Sequence, residues 1–164
     1  MRTIAPWLAL VVALAAPASS ASAQSAADSA AAVDKDLALL RQDVRADKKK
    51  IIAANMPLTE AEATKFWPVY DKYAAEMSKS YDDYYAVLRD YALHQNTLTD
   101  AQAVSMVKRW SAAQVKVANT RQKYVPLIQK VLPGKKAAYF FQVDRRLYAA
   151  LDLIVTSEVP LVIP

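Results

Sequence analysis

Glycine occurs once in this chain, at Gly134, and that scarcity limits the fold more than any other feature. Tight hairpin turns need residues that accept positive φ, and glycine is their usual supplier. A sandwich or barrel of 164 residues would need many such turns. Hydrophobic residues make up 54% of the chain, and the alanine-rich share of them favours helix. The expectation is an all-α protein with one domain. Cysteine is absent, so no disulfide can staple the fold and the core alone must hold it.

The N-terminus reads as a targeting segment. A positive "MRT" precedes the apolar "IAPWLALVVALAAPA", and "ASA" at Ala21–Ala23 puts small residues where a signal peptidase cuts. Cleavage is expected near Ala23 and Gln24. The rival reading, an uncleaved anchor, meets a run that is short for a span of about 20 residues and broken by prolines. No other stretch is long and apolar enough to cross a bilayer. The mature chain is then expected to be soluble and exported. Loss of Arg2 takes its net charge from +5 to +4. Such a protein does not meet nucleic acid. The anionic partners left to it are lipid headgroups, envelope polymers or unfolded acidic segments, and plain solubility accounts for the same surplus.

Residues 24–32, "QSAADSAAA", read as a flexible lead. From Val33 a helical rhythm of Val33, Leu37, Leu40, Val44 and Ile51 puts one face inward, with Asp47 intruding. Lys35, Arg41, Asp43 and Arg45 fall opposite. Pro57 disfavours helix at Met56, so this helix should stop near Asn55.

Two five-residue stretches then mark helix starts. "LTEAE" at Leu58–Glu62 and "LTDAQ" at Leu98–Gln102 each place a threonine three residues ahead of Glu or Gln. That spacing is a capping box. The threonine oxygen accepts from the N–H three residues on, and the longer side chain reaches back to the threonine N–H. Leu58 and Leu98 can tuck against the helices they precede.

After Thr59 an apolar stripe runs through Phe66, Tyr70, Tyr73, Met77, Tyr81, Tyr84, Leu88 and Tyr91. Trp67 stands beside it as a candidate exposed contact. Pro68 should kink this helix, and "HQNT" should end it. After Thr99 the residues Ala103, Trp110, Val117, Tyr124 and Val131 recur at steps of seven, with Val107, Ala113 and Ile128 between them. Pro126 predicts a second kink or break. "LPGKK" predicts a turn at Pro133-Gly134. A last helix should turn Phe140, Val143, Leu147, Leu151 and Ile154 inward, and the tail from Glu158 to Pro164 should run extended. The sum is four helices, two of them long and kinked. They predict an elongated bundle or a curved thin layer that pairs with a copy of itself.

Chemistry is sparse. The one histidine, His94, is expected in the loop between the long helices with Asp90 one turn away. No second imidazole or thiol stands by to complete a metal site. No cofactor is expected. Adjacent Asp82 and Asp83 point to different sides of a helix and do not make an acid–base pair. A single glycine rules out a glycine-rich phosphate loop. The chain therefore reads as a non-enzyme. Basic clusters at Lys48–Lys50, Lys108–Arg109, Lys135–Lys136 and Arg145–Arg146 read as solvated helix faces, or as a surface that attracts acidic clients.

The paired boxes resemble the LTxxQ signature of the Spy and CpxP family of periplasmic proteins. Leu98-Thr99-Asp100-Ala101-Gln102 matches it fully, and Leu58-Thr59-Glu60-Ala61-Glu62 departs at its last residue. A longer likeness, "LTEAEATKFWPVYDKY", "LPGKKAAYFFQVDRRLYAALDL" and "SEVPLV", is similar to a family of exported bacterial proteins of uncharacterised activity. The Spy resemblance implies an antiparallel homodimer of bent helices that cradles unfolded clients without ATP. The CpxP resemblance implies an adaptor for an envelope-stress sensor kinase. No client-binding residue carries over, because only the boxes match. The functional expectation is a periplasmic helical binding protein for unfolded or envelope proteins, with basic and apolar groups sharing one surface. The alternative is a structural coiled-coil envelope protein that binds no client.

Overall fold

The computed structural model describes residues 47–158, with Asp28, Ala31, Ala32, Asp34, Lys35 and Val162 besides. The expected signal peptide and its cleavage point lie outside the described residues, as does the tail beyond Glu158 apart from Val162. No helix among the described residues is long and apolar enough to cross a membrane. Four helices carry the fold: α1, described over 47–55, α2 (Glu60–His94), α3 (Asp100–Gln129) and α4 (Gly134–Glu158). A single 3₁₀ turn at Gln95–Thr97 joins α2 to α3. The described residues contain no strand, as the glycine count predicts.

Helix starts fall where the boxes place them. Thr59 Oγ1 accepts from the Glu62 N–H at 3.3 Å, and Glu62 Oε2 accepts from the Thr59 N–H at 2.8 Å. Thr99 and Gln102 repeat the exchange at 3.3 and 2.9 Å. Each box satisfies amide donors that the first turn leaves open. Leu58 is half-buried against the core, as its place ahead of the cap suggests.

Several boundaries depart from expectation. Asp28, Ala31 and Ala32 are already helical, ahead of Val33, in keeping with the helix preference of alanine. Pro126 does not break α3, and α2 likewise runs unbroken through Pro68. Both prolines are exposed, so the carbonyl each one leaves unbonded can be reached by water. His94 is the last residue of α2 rather than a loop residue, and Glu158 is the last of α4 rather than the start of the tail.

The register between α2 and α3 is written in charge. Glu76 pairs with Lys123 at 2.7 Å, Asp83 with Lys116 at 2.7 Å, and Asp90 with Arg109. Acids recur every seven residues on α2 and bases every seven on α3, so the helices run antiparallel in one register. Ser80 and Thr120 hydroxyls meet between two rungs at 2.7 Å. Each rung is about half exposed, so each contributes at most about 1 kcal/mol. α1 is antiparallel to α2, held by Lys49–Asp71 at 2.5 Å. α4 is parallel to α2: Lys136 meets Glu62 at 2.5 Å, Phe140 meets Phe66, and Tyr148 stacks on Tyr81. Consecutive helices thus alternate in direction, and side chains from all four share one core.

The core is aromatic. Phe66, Tyr70, Tyr73 and Phe140 are all but fully buried, with ring centroids 5.2–6.0 Å apart in edge-on or tilted pairs. Met77, Ile52, Ile128 and Leu132 fill the remaining space.

Candidate functional site

All four helices send a polar side chain to one buried point. Asp144 of α4 is fully buried. Its Oδ2 accepts from the Tyr73 hydroxyl of α2 at 2.5 Å and lies 3.4 Å from Nε of Arg121 on α3. Lys48 of α1 brings Nζ to 3.1 Å from Oδ1. That contact is an ion pair without hydrogen-bond alignment, since neither atom has a hydrogen-bond partner. The Lys48 ammonium lies instead 3.6 Å from the Tyr148 ring centroid, a cation–π geometry. Burial pulls the Lys48 amine down to about 8, against an opposing pull from Asp144 and with a further push from Arg121. Burial, then the Asp144 charge, holds the Tyr73 and Tyr148 hydroxyls well above the ordinary tyrosine value.

This node corrects two expected faces. Lys48 was grouped with Lys49 and Lys50 as a solvated cluster, yet it is buried while the other two are exposed. With Lys48 and Ile52 inward, Ile51 turns out to 40% exposure. On α4 the buried line is Ala137, Phe140, Asp144 and Tyr148, so Val143, Leu147 and Leu151 sit at its margin; the Ile154 side chain lies outside the described residues. Period counting failed both times because a charged residue holds an inward position, made tolerable by partners from the other helices.

The node has charge and perturbed protonation but little access, so it reads as a structural centre. Beside it a groove of about 600 Å³ runs along α2, lined by Tyr70, Ala74, Tyr81, Tyr85 and Tyr148. It lies between two attachments of the same chain, Lys49–Asp71 at one end and Asp34–Arg89 at the other.

The open surface lies on α3. Val104, Val107 and Val115 are 51–58% exposed, and Trp110 is 39% exposed. Val107 was expected in the buried stripe and is not there. Val104, Val107, Ser111, Val115 and Ala118 follow at steps of three and four, so they share one face, opposite buried Ala113, Val117 and Tyr124. Exposed Lys108 stands at its edge, while Arg109 and Lys116 turn toward α2 and are paired with Asp90 and Asp83. The face is therefore apolar with one cation at its edge, and no charge interrupts its centre. Sequence reasoning took the seven-residue repeat of α3 for a single stripe. The second set of valines was visible in the same residues and marks a second face.

Of the remaining expected residues, Thr59, Glu62, Thr99 and Gln102 serve as caps, and Leu58 and Leu98 are half-buried beside them. Lys136 also pulls the Glu62 carboxyl below its usual range, assisted by the Thr59 amide. His94 is exposed, with Nδ1 2.8 Å from the Asp90 carbonyl and 3.2 Å from Oδ1 of Asp90. Among the described residues no group of three His, Cys, Asp or Glu side chains converges as a metal site would need. Asp83 pairs with Lys116 while Asp82 lines the groove on the other side of α2, so the two do not share a site. Trp67 is half-buried against Phe66 and Tyr70, with Lys49 over its ring.

No family model, no curated protein and no solved structure matches this chain.

Proposed function

We propose that this chain is an exported helical binding protein that captures unfolded or partly folded envelope proteins without ATP, through the outer face of α3. The observation that carries the reading is the exposed line of Val104, Val107 and Val115 with Lys108 at its edge. Apolar surface left in water is costly unless something visits it. Lys108 and the net positive charge of the chain raise the encounter rate with acidic segments, and weak apolar contacts then hold the client reversibly. The LTxxQ likeness of the two boxes and an N-terminus that reads as an export signal support this reading.

A second reading, a structural coiled-coil oligomer, is favoured by one feature of the same face. Val104, Ser111 and Ala118 recur at steps of seven, a seam that a second copy could occupy as a homodimer.

One experiment separates the two. The purified chain is added at increasing ratios to an aggregating client, without nucleotide, at low and high salt. Light scattering records the chain's own mass. Suppression that weakens with salt, and that is lost in the double variant Val104→Asp/Val107→Asp, is expected. A stable dimer with no suppression at any ratio overturns the client reading and leaves the structural one.

A further inference from the structure

Apart from that groove, α2, α3 and α4 line a slot of about 360 Å³. Its walls are Tyr81 and Tyr84 of α2 with Val117 and Ala118 of α3. Three charged side chains reach it: Arg121 of α3 and Arg145 and Asp152 of α4. Gln114 adds an amide at its edge.

The charges in this slot are not spent on one another. Arg121 is held toward Asp144 through Nε alone, at 3.4 Å. Among the described residues, neither Arg145 nor Asp152 forms an ion pair. The rungs between α2 and α3, by contrast, pair their charges closely. Burial moreover pushes the Asp152 carboxyl up, and the pull of Arg145 and Arg121 does not reverse it. Among the described residues no ion pair links either arginine to this acid, so the slot presents both signs of charge.

We propose that this slot binds a small α-amino-acid unit. The Arg121–Arg145 pair takes the carboxylate, Asp152 takes the nitrogen donor, and Tyr81, Tyr84 and Val117 take an apolar side chain. Guanidinium groups suit carboxylates because their fork of N–H donors matches two oxygens. The volume lies at the small end of ligand cavities, which fits one amino acid and excludes a nucleotide or a long peptide. The same chemistry occurs in a free amino acid and in the C-terminal residue of a peptide. The proposal rests on Arg121, Arg145 and Asp152, not on the exposed valines of the α3 outer face, although Ala118 borders both.

The test is calorimetric titration of the full chain with L-phenylalanine, 3-phenylpropionate, 2-phenylethylamine and glycyl-phenylalanine. Saturable binding of L-phenylalanine is expected, with both single-charge analogues weaker by about tenfold. Glycyl-phenylalanine keeps the carboxylate but turns the nitrogen into an amide. If it matches or exceeds the amino acid, the natural ligand is a peptide terminus; if it binds less well, the ligand is the free amino acid. The exposed Arg145→Ala should weaken both by about tenfold without unfolding the bundle. Asp152→Asn should erase the preference for L-phenylalanine over 3-phenylpropionate. Absence of saturable binding for both L-phenylalanine and glycyl-phenylalanine overturns the site, as does binding that Arg145→Ala leaves unchanged. Suppression of client aggregation should be the same in Arg145→Ala and the parent, so failure of the slot and failure of the α3 face are separate results.

Discussion

The base of the bundle and its distal hairpin are built from the same two long helices by opposite means. At the base, α1 and α4 join α2 and α3, and four helices converge on Lys48, Tyr73, Arg121 and Asp144. Stability there rests on few groups, each buried and each dependent on the rest. Toward the 3₁₀ turn, α2 and α3 are held to each other by pairs open to water, with most of the first three turns of α3 exposed. Register there rests on repetition, and no single pair matters much. A concentrated polar node makes a rigid end, while a distributed ladder leaves a surface free for contact.

The sharpest way to break that contrast is Asp144→Ala. It strands two cations and a hydroxyl in the core, and a loss of about 3–5 kcal/mol is expected in denaturant unfolding. Lys48→Met should cost much less, because an apolar side chain suits the tyrosine rings and Asp144 keeps Tyr73 and Arg121. Equal losses from the two would show that the node is not organised around the acid.

The pH profile sharpens the same point with a smaller effect. The folded Lys48 value, about 8, lies below the ordinary 10.5. Between them the unfolded chain binds more protons, so stability rises with pH across that window, by up to about 3 kcal/mol. The buried tyrosines act the other way. Tyr70, Tyr73, Tyr81 and Tyr148 are raised, chiefly by burial, so their stabilisation is complete below about pH 10 and is lost above it as unfolded tyrosines ionise. Thermal unfolding at stepped pH should therefore show a maximum near pH 9–10. Lys48→Met should remove the rising limb and keep the falling one.

The smallest effects belong to the ladder. Asp83→Asn should cost no more than about 1 kcal/mol, less in high salt. Reversing all three acids, Glu76→Lys, Asp83→Lys and Asp90→Lys, should destabilise the hairpin markedly. Adding Lys123→Glu, Lys116→Glu and Arg109→Glu should restore it. Failure of that rescue would mean that the apolar seam sets the register and the charges merely follow it.

These regions were also unequally legible in the sequence. Helix starts could be read because a capping box is a local exchange between residues three apart, as at Thr59 and Thr99. The all-helical class followed from one glycine. The inward faces of α1 and α4 could not be read, since Lys48 and Asp144 look like surface residues until partners from other helices are known. The ladder lay in plain view as Glu76, Asp83 and Asp90 against Arg109, Lys116 and Lys123, but a spacing shared between two helices means nothing until they are set side by side. The outer valines of α3 were hidden by the assumption that each helix has one apolar face.

The seven-residue ladder has a further consequence. A repeating code is ambiguous about where it begins. If α3 slid by seven residues, Glu76 would face Lys116 and Asp83 would face Arg109, so two of the three pairs would survive. The charges alone therefore permit several frames of nearly equal worth. Tyr73, Arg121 and Asp144 occur once and fit in one alignment only. The node acts as a start signal for the ladder: it chooses the frame, and the repeat carries that frame outward to the tip.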